Sequence, residues 1–186
     1  MSSTVSPAQK KNTLITGPPG IGKTTAVGRI AMMLREEAGG FCTKEIREGN
    51  ERKGFGISSL DGEIGVLAHA DLEGHHKVGK YVVNISDLDR VGVSAIRRAI
   101  EAGKVVIVDE IGKMELFSTA FRSAVLEVLD SPSPMIATIM DKEDSFCDLI
   151  KKRSDVQVVR LTKDNRDAVP EEVVGFLRKY LCSSSQ

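Results

Sequence analysis

The feature that most limits what this chain can fold into is Gly17-Pro18-Pro19-Gly20-Ile21-Gly22-Lys23-Thr24, which matches G-x-x-x-x-G-K-[ST] at every fixed position. It follows a short apolar run, Thr13 to Thr16. The segment after it, Thr24 to about Ala38, carries Val27, Ile30, Ala31 and Leu34 at i, i+3, i+4 and i+7, the stripe of an amphipathic helix. Strand, glycine loop and helix start in this register make a nest of backbone N–H groups at a helix N-terminus, where an anion is favoured. In such a site Gly17, Gly20 and Gly22 allow close backbone approach, with Pro18, Pro19, Ile21 and Thr25 as the other loop contacts. Lys23 reaches β and γ oxygens, and the Thr24 hydroxyl ligates Mg2+. A chance glycine turn with a solvated lysine is the alternative, and the register argues against it.

Composition narrows the class. Of 186 residues, 41% are hydrophobic and 28% charged, which excludes a disordered tail or a membrane bundle. No apolar run approaches the ~20 residues that cross a bilayer. Lys+Arg 26 against Asp+Glu 26 gives no net charge, so neither nucleic acid nor an anionic membrane is an expected partner. Cys42, Cys147 and Cys182 contain no Cys-x-x-Cys pair, which points to a reducing, cytoplasmic compartment rather than a disulfide or zinc framework. Residues 1–12 read as a polar, disordered lead-in without a secretory signal, 13–182 as one domain and 183–186 as a tail.

Short apolar runs alternate with helical patterns, the signature of βαβ units and a mostly parallel sheet. Gly39 and Gly40 are expected to stop the first helix, with a strand at about Phe41 to Ile46. From Arg47 to Ile85 the pattern changes to a glycine-rich β insertion. Its strands fall at Gly54 to Leu60, Ile64 to Ala68 and Tyr81 to Asn84, with a hairpin turn at Asp61-Gly62. The alternation then resumes. A helix spans Asp87 to Ala102, a doubly buried strand Lys104 to Val108, and a helix Met114 to Leu129 with Phe117, Phe121, Ala124 and Val128 on one stripe. Met135 to Ile139, Ser145 to Arg153 and Val156 to Leu161 read as strand, helix and strand. A last helix begins near Pro170, with Glu171 and Glu172 at its positive end and Arg178 and Lys179 near its negative end.

A second motif closes that doubly buried strand: Val105-Val106-Ile107-Val108-Asp109-Glu110. An acid delivered at the end of a buried strand is the Walker B pattern, with Asp109 holding the Mg2+ shell and Glu110 free to polarise an attacking water. Both acids could instead cap the following helix. Asp109-x-x-Gly112 also fits the D-x-x-G of switch GTPases, but the [NT]-K-x-D that reads guanine has only Asp141-Lys142-Glu143-Asp144 to offer. Thr138 is a candidate γ-phosphate sensor or, equally, a buried strand threonine bonded locally. Arg47, Arg52, Arg97, Arg98, Arg122 and Arg166 are candidates for neutralising transition-state charge, and each alone reads as a solvated surface residue. His69, His75 and His76 near Asp71 and Glu73 match no usual ligand spacing and read as loop histidines.

GPPGIGKTT (Gly17 to Thr25), GFCTKEIREGNERKGFGI (Gly40 to Ile57), VGKYVVNI (Val78 to Ile85), VDEIGKMELFS (Val108 to Ser118) and LTKDNRD (Leu161 to Asp167) together closely resemble the THEP-type nucleoside-triphosphatases. The similarity covers nearly everything after Asn12. It implies a RecA-like, tandem-acid P-loop α/β fold and Mg2+-dependent hydrolysis of ATP, GTP and other nucleoside triphosphates with low base selectivity. Lys23 and Glu110 carry over as catalytic residues, and Thr24 and Asp109 as metal-holding ones. Lys113, Asn165 and Arg166 match family positions whose role residue type alone does not assign. The expected partner is the nucleotide, and the expected state a monomer. Two other readings keep the same loop: a nucleotide or small-molecule kinase with the insertion as its lid, and a GTP-dependent switch acting through a partner.

Overall fold

The computed structural model describes residues 10–184. Residues 1–9 and 185–186, most of the expected lead-in and part of the tail, lie outside the described residues. In chain order β1 (Asn12–Thr16) leads into α1 (Lys23–Leu34), then β2 (Ala38–Glu48), β3 (Glu51–Ser59), β4 (Ile64–His69), β5 (Lys77–Val78) and β6 (Tyr81–Val83). A helical stretch follows, α2 (Ile85–Asp87), π-type turns over Leu88–Val93, and α3 (Ser94–Glu101). Next come β7 (Val105–Ile111), α4 (Thr119–Asp130), β8 (Met135–Ile139), α5 (Ser145–Lys151), β9 (Val156–Arg160) and α6 (Val169–Ser184).

Among the described residues the nine strands form one mixed sheet in the order β5-β6-β4-β3-β2-β7-β8-β1-β9. Its half from β2 to β9 pairs in parallel, and its half from β2 to β5 is antiparallel. Successive residues of β7 feed opposite cores. Val106 and Val108 pack with Leu14, Phe41, Phe121, Val125 and Val128, whereas Val105 and Ile107 pack with Ile15, Val27, Ile30, Leu34 and Leu177. That period-2 split explains why the strand reads as an unbroken apolar run: both faces are covered. On α1 the expected stripe is fully in place, and each of its buried Val, Ile or Leu side chains contributes roughly 1.5–3 kcal/mol.

Several expectations are corrected. Asn12 is the first residue of β1, not lead-in. It is fully buried, its Nδ2 donates to Asp155 Oδ2 at 3.0 Å, and its Oδ1 accepts from the Met135 N–H at 3.0 Å. Gly39 and Gly40 do not stop α1; it ends at Leu34, and both glycines lie inside β2. They are there for close approach: a Cβ on Gly39 would sit 2.6 Å from that of Ala99, and one on Gly40, at φ +103°, 2.1 Å from the Ile107 carbonyl oxygen.

The antiparallel segment begins earlier than Arg47. β2 pairs with β7 only from Ala38 to Phe41 and with β3 from Phe41 onward, so one strand serves both halves of the sheet. β5 had no sequence signal beyond two residues. Met114 to Ser118 is not the first part of α4, because Ser118 caps that helix, its Oγ accepting from the Phe121 N–H at 3.0 Å. Phe117 therefore leaves the buried stripe and lies half-exposed, its ring 4.9 Å from that of His76. α6 runs on to Ser184 because Leu181 still packs on the core, which places Arg178 and Lys179 inside the helix.

Candidate active site

β1, β7, β8 and β9 run in the same direction, and the Gly17–Thr24 loop, Asp109, Glu110 and Thr138 gather at their C-terminal edge. The Gly17–Thr24 loop wraps the end of β1. Its glycines hold conformations that side chains resist, φ +149°, +76° and +109° at Gly17, Gly20 and Gly22. Gly17 is also tight: a Cβ there would meet the Leu161 carbonyl oxygen at 2.9 Å, so the loop rests on the end of β9. No side chain caps α1, whose N-cap is Gly22, and its first-turn N–H groups face an anion-ready edge. Lys23 folds back over the loop, Nζ donating to the Gly17 carbonyl at 3.2 Å and lying 3.8 Å from Glu110 Oε1. Pro18, Pro19, Gly20, Thr24 and Thr25 are exposed, while Ile21 and Gly22 are half-buried.

β7 places its two acids through a bulge. Val108 pairs with Ala137 and Ile111 with Ile139, so Asp109 and Glu110 together stand opposite the single residue Thr138. Such a two-against-one step re-aims side chains. Asp109 is fully buried, and its carboxylate is surrounded by hydroxyls from three elements. Oδ1 accepts from Thr138 Oγ1 at 2.8 Å and from Thr24 Oγ1 at 3.2 Å. Oδ2 accepts from Thr43 Oγ1 at 3.0 Å and from the Thr43 N–H at 3.4 Å. Glu110 points away to Lys23. Burial raises its carboxyl above the ordinary glutamate range, Lys23 pulls it back, and the like charge of Asp109 raises it further.

Two residues of this cluster were not singled out in advance. Thr43 carries no spacing signal, since its partner lies 66 residues on. Glu115 is an acid between Met114 and Leu116 and is buried behind Gly112, where a Cβ would come within 3.2 Å of Glu115 Oε2 and 3.4 Å of the Glu110 carboxyl carbon. Burial pushes the Glu115 carboxyl up to about 8. Its own N–H and that of Gly112 hold it down, and Glu110 and Asp109 add to the rise.

The loop after β9 is organised by Asn165. Its Oδ1 accepts from the Thr162 N–H at 2.7 Å, its Nδ2 donates to the Arg160 carbonyl at 3.0 Å, and its own carbonyl accepts from Ala168 and Val169. Arg166 is exposed on that loop, and Lys113 is exposed beside the acids. Of the other arginines, Arg47 and Arg52 bind Glu45, Arg97 binds Glu127 and Arg98 binds Asp61. Asp141 accepts a two-pronged contact from Arg160 at 2.7 and 3.0 Å. Among the described residues no three His, Cys, Asp or Glu side chains converge as a metal set, and His69 instead faces Asp71.

Fold and site together define an α/β protein whose glycine loop and paired acids share one sheet edge. The sequence model described as NTPase matches residues 12–174. Nucleoside-triphosphatase THEP1 of Thermotoga maritima is 47% identical over 165 residues, covering 89% of this chain and 94% of that one. Its counterpart from Methanocaldococcus jannaschii is 43% identical, covering 87% and 94%. The crystal structure of THEP1 from Aquifex aeolicus superposes with a TM-score of 0.82 at 34% identity, covering 89% of this chain and 98% of that one. The solution structure of a human cancer-related nucleoside triphosphatase gives 0.79 at 33%, covering 90% and 97%. The chain belongs to this NTPase family, that of the THEP1 nucleoside-triphosphatases.

Proposed function

We propose that the chain is a P-loop enzyme of the RecA-like, tandem-acid branch that hydrolyses nucleoside triphosphates to the diphosphate and phosphate with little choice of base. The observation that carries this reading is the Thr24–Asp109 contact at 3.2 Å, with Glu110 on the same bulge turned to Lys23. It joins the loop to the acid strand across β8, and the position of β8 between β1 and β7 supports the tandem-acid branch. The relatives' names support the substrate class.

Thr24 and Asp109 offer hard oxygens in small number, which suits Mg2+, a cation that keeps waters and substrate phosphates. When bound, Mg2+ would neutralise charge on the β and γ phosphates. The chain's own residues do the rest. Loop amides and Lys23 hold the polyphosphate in line, and Glu110 orients water and takes its proton as the γ-phosphorus is attacked. The half-buried setting that raises the Glu110 carboxyl also makes it a better base than a solvated glutamate.

The test is phosphate release by purified protein from the eight common ribo- and deoxyribo-triphosphates, with Mg2+ and with EDTA. Release from most of them, abolished by EDTA, is expected. Diphosphate that forms only with an added acceptor, without free phosphate, would mean a kinase, and release confined to GTP would mean a switch.

A further inference from the structure

Past Phe41 the ladder between β2 and β7 ends, Phe41 and Val108 being its last pair. β2 nevertheless continues, now paired only with β3, where Thr43 stands opposite Ile57. The Asp109 carboxylate fills the opening between the diverging strands. The Thr43 N–H, which a continued parallel ladder would give to a carbonyl, goes to Oδ2, and the Thr43 hydroxyl goes to the same oxygen. Oδ1 is turned the other way, to Thr24 and Thr138.

A carboxylate rotates about its Cβ–Cγ bond unless both oxygens are held, and at full burial the second oxygen would lack a partner without this strand. We propose that Thr43 is a positioning residue for the divalent-cation site: by fixing Oδ2 it presents Oδ1 beside Thr24. The inference rests on the reading of Asp109 and Thr24 as the metal-holding pair. Partners that orient a metal ligand from behind cost about 10–100-fold in metal affinity or activity when removed. The same contact ties the metal site to the β2–β3 arm, so the arm's base is part of the site although its tip, at Gly49 and Asn50, is not.

The experiment measures Mn2+ binding by the full chain in the presence of a non-hydrolysable triphosphate analogue, with free Mn2+ read by electron paramagnetic resonance. Thr43→Val removes the hydroxyl at nearly constant shape and should weaken Mn2+ about 10–100-fold, as should Thr43→Ala, whereas Thr43→Ser should stay within about 3-fold of the parent. Melting of the metal-free proteins accompanies the titrations, since a merely structural role would lower stability and leave the Mn2+ constant in place. Asp109→Asn separates the two layers of the argument. If Asp109→Asn weakens Mn2+ and Thr43→Val binds it like the parent, or if Thr43→Ser is as weak as Thr43→Val, the role of the Thr43 hydroxyl is overturned while the metal reading stands. If Asp109→Asn itself binds Mn2+ like the parent, both fall.

Discussion

Thr138 donates its hydroxyl hydrogen to Asp109 Oδ1 at 2.8 Å, the shorter of the two hydrogen bonds to that oxygen, and both residues are fully buried. The bond crosses the β7–β8 bulge, where one residue of β8 faces two acids. Thr138 therefore spends its hydroxyl hydrogen on the acid of the neighbouring strand rather than within its own strand. Thr138→Val should lower turnover by about 10-fold or more, because the proposed function puts the acid it orients at the reacting end of the substrate. The stability cost should be near 1 kcal/mol, that of one hydrogen bond whose acceptor keeps another donor. Steady-state phosphate release and chemical denaturation of the same samples check both numbers. Unchanged turnover beside the expected stability loss would reduce Thr138 to a strand contact.

Glu110→Gln keeps the shape and the reach to Lys23 but removes the proposed base. Nucleotide binding, followed with a fluorescent analogue, should be retained, and turnover should fall by about 10²-fold or more. Near-normal turnover would remove Glu110 from the mechanism and move the search for a base to the remaining acid of the cluster, Glu115.

Gly40 and Gly62 share φ +103° but not their surroundings. A Cβ on Gly40 would lie 2.1 Å from the Ile107 carbonyl oxygen, while one on Gly62, in the β3–β4 turn, meets nothing within 4 Å. Gly62→Ala should cost only the backbone strain, about 1–3 kcal/mol. Gly40→Ala adds a clash with backbone in the sheet centre and should cost more than about 4 kcal/mol or prevent folding. Equal melting shifts for the two variants would show that the β2–β7 approach is looser than these distances state.

These glycines mark the boundary of what the sequence makes legible. A pair of glycines after an amphipathic stripe reads as a helix stop, and nothing local distinguishes it from a place where Ala99 and Ile107 press against a strand. The stripe of α1, the apolar runs of β7 and β8 and the Asp61-Gly62 turn were readable because each is determined by its own spacing. The same holds in the site. Lys23 and Thr24 come from one loop, and Asp109 and Glu110 from one strand end, so short motifs expose them. Thr43 reaches Asp109 only because β2 leaves β7 at Phe41, a fact of strand pairing rather than of residue type. Asn165, unassigned from its motif, holds its own loop through four backbone partners close by in the chain, a local turn that residue type alone does not announce.

The buried carboxyl of Glu115 makes stability depend on pH with a definite sign. Burial, its largest cause, favours the protonated form and puts the folded value at about 8, whereas the unfolded chain titrates in the ordinary glutamate range. Between those values the unfolded state binds fewer protons than the folded one, so stability falls as pH rises and is fully present only below the unfolded value. The slope from this one group is at most about 1.4 kcal/mol per pH unit. Glu115→Gln carries no titrating group and cannot follow that slope. In EDTA, with no divalent cation to alter the neighbouring acids, the variant should gain on the parent steadily from pH 5 to pH 8. Denaturant titrations of both proteins across that range measure the difference. Parallel pH profiles would mean that Glu115 is ionised in the fold, its charge carried by the Gly112 and Glu115 N–H groups, and that Glu110 and Asp109 beside it tolerate a third negative charge.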